Sequence, residues 1–395
     1  MPLDLDTTAT QIDRMAVHIA GRRDDREAAL RAAVAVLEAL DKDTYEERRA
    51  AFAESQNRAT VRFLQDPVSS FAPTAIPTDL TVAAIDGSHI DIDRHLAARC
   101  FLINIGVCKL TYGAAPDADL RSAPRLYASD DELVIRDDIG ERSERIDGTI
   151  LGALRHVEEL SAAADVLEAL PGDRPAVMLV DGPMTVAGLG GRVFPDFVLR
   201  ALVTEGFAGA MERFRLVSAN WLAAEGRTLA VAGYTSLPGH DEVVRALSLA
   251  LPDEHPHQAE SATDSVLDRE VFGRLLPPGH RSALFASTGH PLESYQQGHT
   301  TVNFYLNTGD EIGRVELPAW AADEPGAVDL LHATLLDQCR RGGGYPTVLI
   351  EAHEQAVVNG RDRRTFVELV ESALADRGVA TRTSEKNISK TVRRI

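Results

Sequence analysis

Apolar residues recur at three and four along the start of the chain: Ile12, Met15 and Ile19, then Leu30, Val34 and Leu37. This spacing predicts amphipathic helices over residues 1–66, continued by the charged run from Asp41 to Arg49 and by Phe52 to Leu64. Pro67 and Ser69-Ser70-Phe71-Ala72-Pro73 break the pattern. From Leu80 the period becomes that of strands. Val82-Ala83-Ala84-Ile85 runs into Asp86-Gly87-Ser88, after which His89-Ile90-Asp91-Ile92-Asp93 alternates. The simplest expectation is two strands, 81–86 and 89–93, joined by a tight Asp-Gly turn.

Residues 101–109 read as a central strand. Residues 114–147 are polar and acidic, with Val134-Ile135 the one strand remnant, so a surface loop or edge hairpin is expected. Residues 149–170 form a helix, with Leu151, Leu154, Val157, Ala164 and Leu167 near one face and Pro171-Gly172 at its end. A second apolar run, Ala176-Val177-Met178-Leu179-Val180, also ends in Asp-Gly, at Asp181-Gly182-Pro183. Helices are expected over 197–225, 241–251, 328–340 and 365–375. Residues 229–234 read as a strand, and 300–306 with 311–317 as a hairpin around Asn307-Thr308-Gly309-Asp310. Strands followed by alternating helices and strands indicate an α/β fold with a mixed sheet flanked by helices. An N-terminal helical region, 1–75, precedes the main domain, 76–395.

Composition narrows the function classes. Of 395 residues, 60 are Asp or Glu and 41 Lys or Arg, a formal net charge of -19, which argues against blanket electrostatic attraction to nucleic acid. A local basic groove, or a partner with a basic surface, is left open. The clearest basic cluster is the tail, Lys386, Lys390, Arg393 and Arg394. Three cysteines, Cys100, Cys108 and Cys339, show no disulfide framework or metal spacing, which points to a reducing cytoplasm. The polar start of the chain reads as no secretory signal, and no apolar run is long enough for a bilayer. No Gly-Lys pair occurs, which excludes a P-loop ATPase at the motif level.

The repeated device carries the chemistry. Asp-Gly is a common turn, so Asp86 alone reads as readily as the start of a hairpin. Two buried strands that each end in an aspartate are what a carboxylate metal site needs. Phosphodiester hydrolysis uses a pair of divalent ions about 3.5–4 Å apart, held by oxygen ligands. Glu158 or Glu159 on the preceding helix could complete the set, and periodicity does not choose between them. Tyr345, and His353 in Ala352-His353-Glu354, are candidates for orienting a phosphate or acting as acid, base or ligand.

Asp86-Gly87-Ser88, Asp181-Gly182-Pro183 and Tyr345-Pro346 with Ala352-His353 resemble the three signature blocks of the NurA nuclease family. Supporting stretches are Ala232-Gly233-Tyr234-Thr235-Ser236, Gly279-His280-Arg281-Ser282 and Gly313-Arg314-Val315-Glu316-Leu317-Pro318-Ala319-Trp320, and the likeness spans about residues 78–390 in order. The resemblance implies an RNase H-like core, a homodimer, and a Mn²⁺-dependent (or Mg²⁺-dependent) deoxyribonuclease with two ions per site. It also implies 5′-to-3′ exonuclease and single-strand endonuclease activity on DNA. The partner it implies is a HerA-like hexameric ATPase, in DNA end resection or phage defence. Carried over by position, the catalytic set is Asp86, Glu158 (Glu159 in reserve), Asp181, Tyr345 and His353, with Asp86, Glu158, Asp181 and His353 as metal ligands. Arg281 and Arg314 are candidates for DNA-backbone contacts. Two other readings stand: a non-catalytic subunit of the same fold that docks on the translocase, and an actin-like phosphotransferase. The latter lacks the further Gly-rich phosphate turns it would need.

Overall fold

A computed structural model of the chain describes residues 4–56, 60–91, 98–191, 193–250, 266–289 and 292–379. The basic tail, the polar loop expected over 252–265 and the end of the 89–93 strand lie outside the described residues. The strands in chain order are β1 (Thr60–Phe63), β2 (Ser70–Phe71), β3 (Leu80–Ile90), β4 (Phe101–Tyr112), β5 (Asp117–Tyr127), β6 (Val134–Arg136) and β7 (Ser143–Arg145). Then follow β8 (Ala176–Asp181), β9 (Leu229–Thr235), β10 (Arg281–Ser282), β11 (Phe285–Thr288), β12 (Thr301–Asn307) and β13 (Ile312–Pro318).

The chain divides into two compact units, the first comprising Met1–Ala72, Ser236–Gly289 and Asn303–Arg314. Its helices Leu5–Gly21, Arg23–Glu38 and Lys42–Gln56 realise the expected periodicity. The helical pattern stops sooner than expected, because Val61-Arg62-Phe63 pairs antiparallel with β11. The core of this unit joins Leu30, Leu37, Tyr45, Val61 and Phe63 to Phe272, Phe285 and Tyr305. Arg281 and Arg314 belong to it as well. Each is 4% exposed, Arg281 stacked over Phe71 and Arg314 paired with Glu242. A guanidinium sealed in a core cannot meet a DNA backbone, so the contacts expected of these two arginines fail.

The second unit comprises Pro73–Thr235, His290–Val302 and Val315–Ile395. In it the strand order runs β9-β8-β3-β4-β5. β3, β4 and β5 form an antiparallel meander, whereas β8 joins β3 in parallel and β9 joins β8 in parallel. The helix Gly148–Glu168 precedes β8, and a helical run over 196–225 carries the chain from β8 to β9, as the joining of two parallel strands requires. This is the mixed α/β architecture expected of an RNase H-like core. Phe197, Phe207, Met211 and Phe214 are all buried in it, so that run uses its aromatic face for the core.

Two local expectations change. Asp86-Gly87-Ser88 is not a turn: β3 continues through it, paired with β4 from Leu80↔Tyr112 to Ile90↔Leu102. Residues 114–147, expected as a surface loop or an edge hairpin, take the hairpin alternative in β6–β7 and add a long edge strand, β5. The polar composition of β5 follows from its place, since an edge strand exposed to solvent needs no alternating apolar face.

Candidate active site

The parallel register of β3 and β8 ends at Ile85↔Val180, which puts Asp86 and Asp181 on the next rung of neighbouring strands. β8 stops there. Gly182 takes φ 92°, a left-handed value that glycine adopts without strain, and turns the chain away. Two apolar strands thus deliver two carboxylates to one point because both runs reach the same rung.

The third side chain comes from the helix Thr347–Ala356, whose C-terminal end is fastened to β3 and β4. Ser88 Oγ donates to the Ala356 carbonyl, and Asn104 Nδ2 donates to the carbonyls of Gln355 and Ala356 at 3.0 and 2.8 Å. These bonds satisfy acceptors that a helix end leaves without partners. The helix lies close because Gly106, opposite Asp86 in the β3–β4 ladder, has no side chain: a Cβ there would fall 2.1 Å from the Ala352 carbonyl oxygen.

So placed, His353 Nδ1 lies 2.7 Å from Asp86 Oδ2, while Asp86 Oδ1 accepts the Gly87 N–H at 2.7 Å. Tyr345, at the turn before the same helix, donates its hydroxyl to Asp181 Oδ1 at 2.8 Å and sets its ring edge-on to Tyr234. One ligand atom from each of Asp86, Asp181 and His353 lies within 4.8 Å of the others. Burial raises the pKa of the Asp181 carboxyl, and the negative charges of Asp86 and Glu159 add to that, against the hydrogen bond from Tyr345 and the pull of His353.

Four of the five expected side chains therefore meet: Asp86, Asp181, Tyr345 and His353. Glu158 does not join them. It lies beside Arg125, 3.7 Å away, next to Tyr127. Glu159, the reserve, is turned about 100° around the helix from it and is 2% exposed beneath β3. Its Oε1 would sit 2.4 Å from a Cβ on Gly87, which explains a glycine in an uninterrupted strand. Glu159 Oε2 lies 2.8 Å from His156 Nδ1, and His156 Nε2 lies 3.3 Å from the Met184 carbonyl. Glu159 Oε1 faces Arg155 Nε at 3.3 Å without a hydrogen bond. Arg155 and His156 were missed from sequence. Their signal was present, since they stand four and three residues before Glu159, one helical turn away.

Oxygen and imidazole donors of this kind suit a hard divalent ion such as Mn²⁺ or Mg²⁺. The raised Asp181 carboxyl, crowded by like charge, is the condition that a bound cation relieves.

A family model of the NurA domain matches residues 80–358 of the chain. Among solved structures, the NurA nuclease from Sulfolobus solfataricus is 14% identical with a TM-score of 0.46, covering 95% of this chain and 98% of that one. The A. aeolicus Argonaute is 9% identical with a TM-score of 0.30, covering 71% of this chain and 29% of that one. No curated protein sequence matches the chain. With the NurA model spanning most of its length, the chain belongs to the NurA family of nucleases.

Proposed function

We propose that the protein is a metal-dependent deoxyribonuclease, a 5′-to-3′ exonuclease and single-strand endonuclease that cuts at the Asp86–Asp181–His353 group. The observation that carries this reading is the convergence of those three donors within 4.8 Å at a strand end. Asp86, Asp181 and His353 hold Mn²⁺ or Mg²⁺, with two ions at the site, and Glu159 takes the role assigned from sequence to Glu158. Bound there, divalent ions neutralise phosphate charge and lower the pKa of water.

The chain's own residues set the geometry. Asp86 is fixed by the Gly87 amide on one oxygen and by His353 on the other. Tyr345 orients Asp181 and keeps one of its oxygens engaged. His353, more than half exposed and with Nδ1 on Asp86, leaves its other ring nitrogen to the ion. His156, in contact with both Glu159 and the carbonyl of Met184, ties the third carboxylate to the turn after Asp181.

The acidic balance of the chain suits a nuclease that is fed DNA by a separate motor, and we assign it a HerA-like hexameric ATPase as partner, a homodimeric state, and work in end processing or phage defence. Three buried cysteines that form no disulfide suit a reducing cytoplasm. The test is digestion of end-labelled single- and double-stranded DNA with Mn²⁺, wild type beside Asp86→Ala. Metal-dependent cutting lost in the variant supports the assignment; equal cutting by both overturns it.

A further inference from the structure

β3 outruns its parallel neighbour. β8 pairs with β3 only as far as Ile85↔Val180, while β4 accompanies β3 to Ile90 on its other side. The Thr81 N–H donates to the Pro175 carbonyl at the start of β8, and residues two apart on a strand point their backbone groups the same way. The odd-numbered carbonyls of Gly87 and His89 therefore face the side that β8 leaves open. Each accepts a guanidinium. Arg155 Nη1 donates to Gly87 O at 2.8 Å, and Arg363 Nη2 donates to His89 O at 2.9 Å. The two arginines come from different helices, Gly148–Glu168 and Gly360–Ala375, and dock on one strand edge just past Asp86.

We propose that Arg155 and Arg363 form a two-point cradle for successive phosphates of a single-stranded DNA substrate, leading from the Asp86–Asp181–His353 group. This rests on the nuclease reading of that group. A guanidinium has five N–H donors in a rigid fork, so the bond to a backbone carbonyl leaves several for a phosphate while fixing the direction of the fork. Two residues of strand advance about 6.6 Å, close to the separation of neighbouring phosphates along an extended single strand. The charge is local. The His89 imidazole is held below its ordinary pKa by burial and by the positive charge of both Arg155 and Arg363, against Asp91. In a chain of net charge -19, two guanidiniums docked at the edge of the strand that carries Asp86, Arg155 with Glu159 at its Nε, give the backbone of a nucleic acid a defined entry.

The experiment measures anisotropy of a labelled oligodeoxythymidine bound to the full chain in EDTA across a salt series, for wild type, Arg363→Gln, Arg363→Lys and Arg155→Gln/Arg363→Gln. Thermal melting of each variant accompanies it. Each lost phosphate contact lowers the slope of log affinity against log salt by about 0.7 for a single strand. Arg363→Gln is expected to weaken binding ~10-fold and lower the slope by about 0.7, and the double variant to lower it by about 1.4. Arg363→Lys keeps the slope and loses part of the affinity. With Mn²⁺ present, Arg363→Gln raises KM with little change in kcat. Wild-type affinity and slope in Arg363→Gln, or a lowered melting temperature with binding intact, would overturn the cradle and leave arginines that merely cap an open strand edge. Failure of wild type to cut DNA with Mn²⁺ would instead sink the nuclease reading, and the EDTA titration would still judge the cradle by itself.

Discussion

Gly106 stands opposite Asp86 in the β3–β4 ladder, and the helix carrying His353 rests on the space where its side chain would be. The contact between Asp86 and His353 thus depends on a backbone neighbour that lends no side chain to either. Gly106→Ala is expected to push the helix Thr347–Ala356 outward and part His353 from Asp86. Overpacking of this kind costs about 1–3 kcal/mol, and activity should fall ~100-fold or more, as misplacement of a catalytic group by about 1 Å does. Melting curves and kcat on single-stranded DNA measure the two effects.

Glu158 and Glu159 should separate cleanly. Glu158→Gln loses a half-exposed pairing with Arg125 and keeps a side-chain oxygen beside Tyr127, so activity and stability stay within about twofold and ~0.5 kcal/mol of wild type. Glu159→Gln removes the buried carboxylate between His156 and Arg155 and should lower activity ~100-fold or more. Steady-state rates at saturating Mn²⁺ decide between them; the opposite ranking would restore Glu158 to the site.

Gly87 offers a test of the same carboxylate by geometry. β3 is an ordinary extended strand at this position, so alanine is not barred by the backbone, yet its Cβ would meet Glu159 Oε1 at 2.4 Å. Gly87→Ala should therefore inactivate. Shortening the opposing side chain in Gly87→Ala/Glu159→Asp should recover part of the loss, and a double-mutant cycle on kcat/KM reads that coupling.

Asp181 sets a stability–activity trade-off whose sign is fixed. Its carboxyl pKa lies above the ordinary value, chiefly through burial, so the folded protein holds that proton more tightly than the unfolded chain. The ionised form costs stability at neutral pH, and that cost disappears as pH falls through the raised pKa. Metal-free Asp181→Asn should melt above wild type at pH 7, and the gap should close in acid. Mn²⁺ should raise the melting temperature of wild type and leave that of Asp181→Asn almost unmoved.

Much of this was legible from the one-dimensional pattern. Apolar runs ending in Asp86 and Asp181 located both strands, and the 3.6 period located the helix between them. What the pattern misjudged was local. Gly87 looks like a turn because Asp-Gly is a turn pair, whereas tertiary packing against Glu159 is what requires a glycine there. Glu158 and Glu159 are adjacent letters on a helix whose buried face includes Ile150, Leu151, Ala163 and Leu167, and no periodic rule resolves which of two neighbouring glutamates slips beneath a strand. Arg281 and Arg314 looked like surface cations, but aromatic rings and Glu242 keep them in a core. Arg155 and Arg363 acquire meaning only when β8 is seen to stop short of β3, a fact of register that no single segment contains.

The most direct measurement is a crystal soaked in Mn²⁺ with diffraction recorded at the manganese edge. The account predicts an anomalous peak coordinated by carboxylate oxygens of Asp86 and Asp181 at about 2.1 Å, lost in crystals of Asp86→Ala. A site left empty at millimolar Mn²⁺, or manganese bound only elsewhere on the chain, would contradict it.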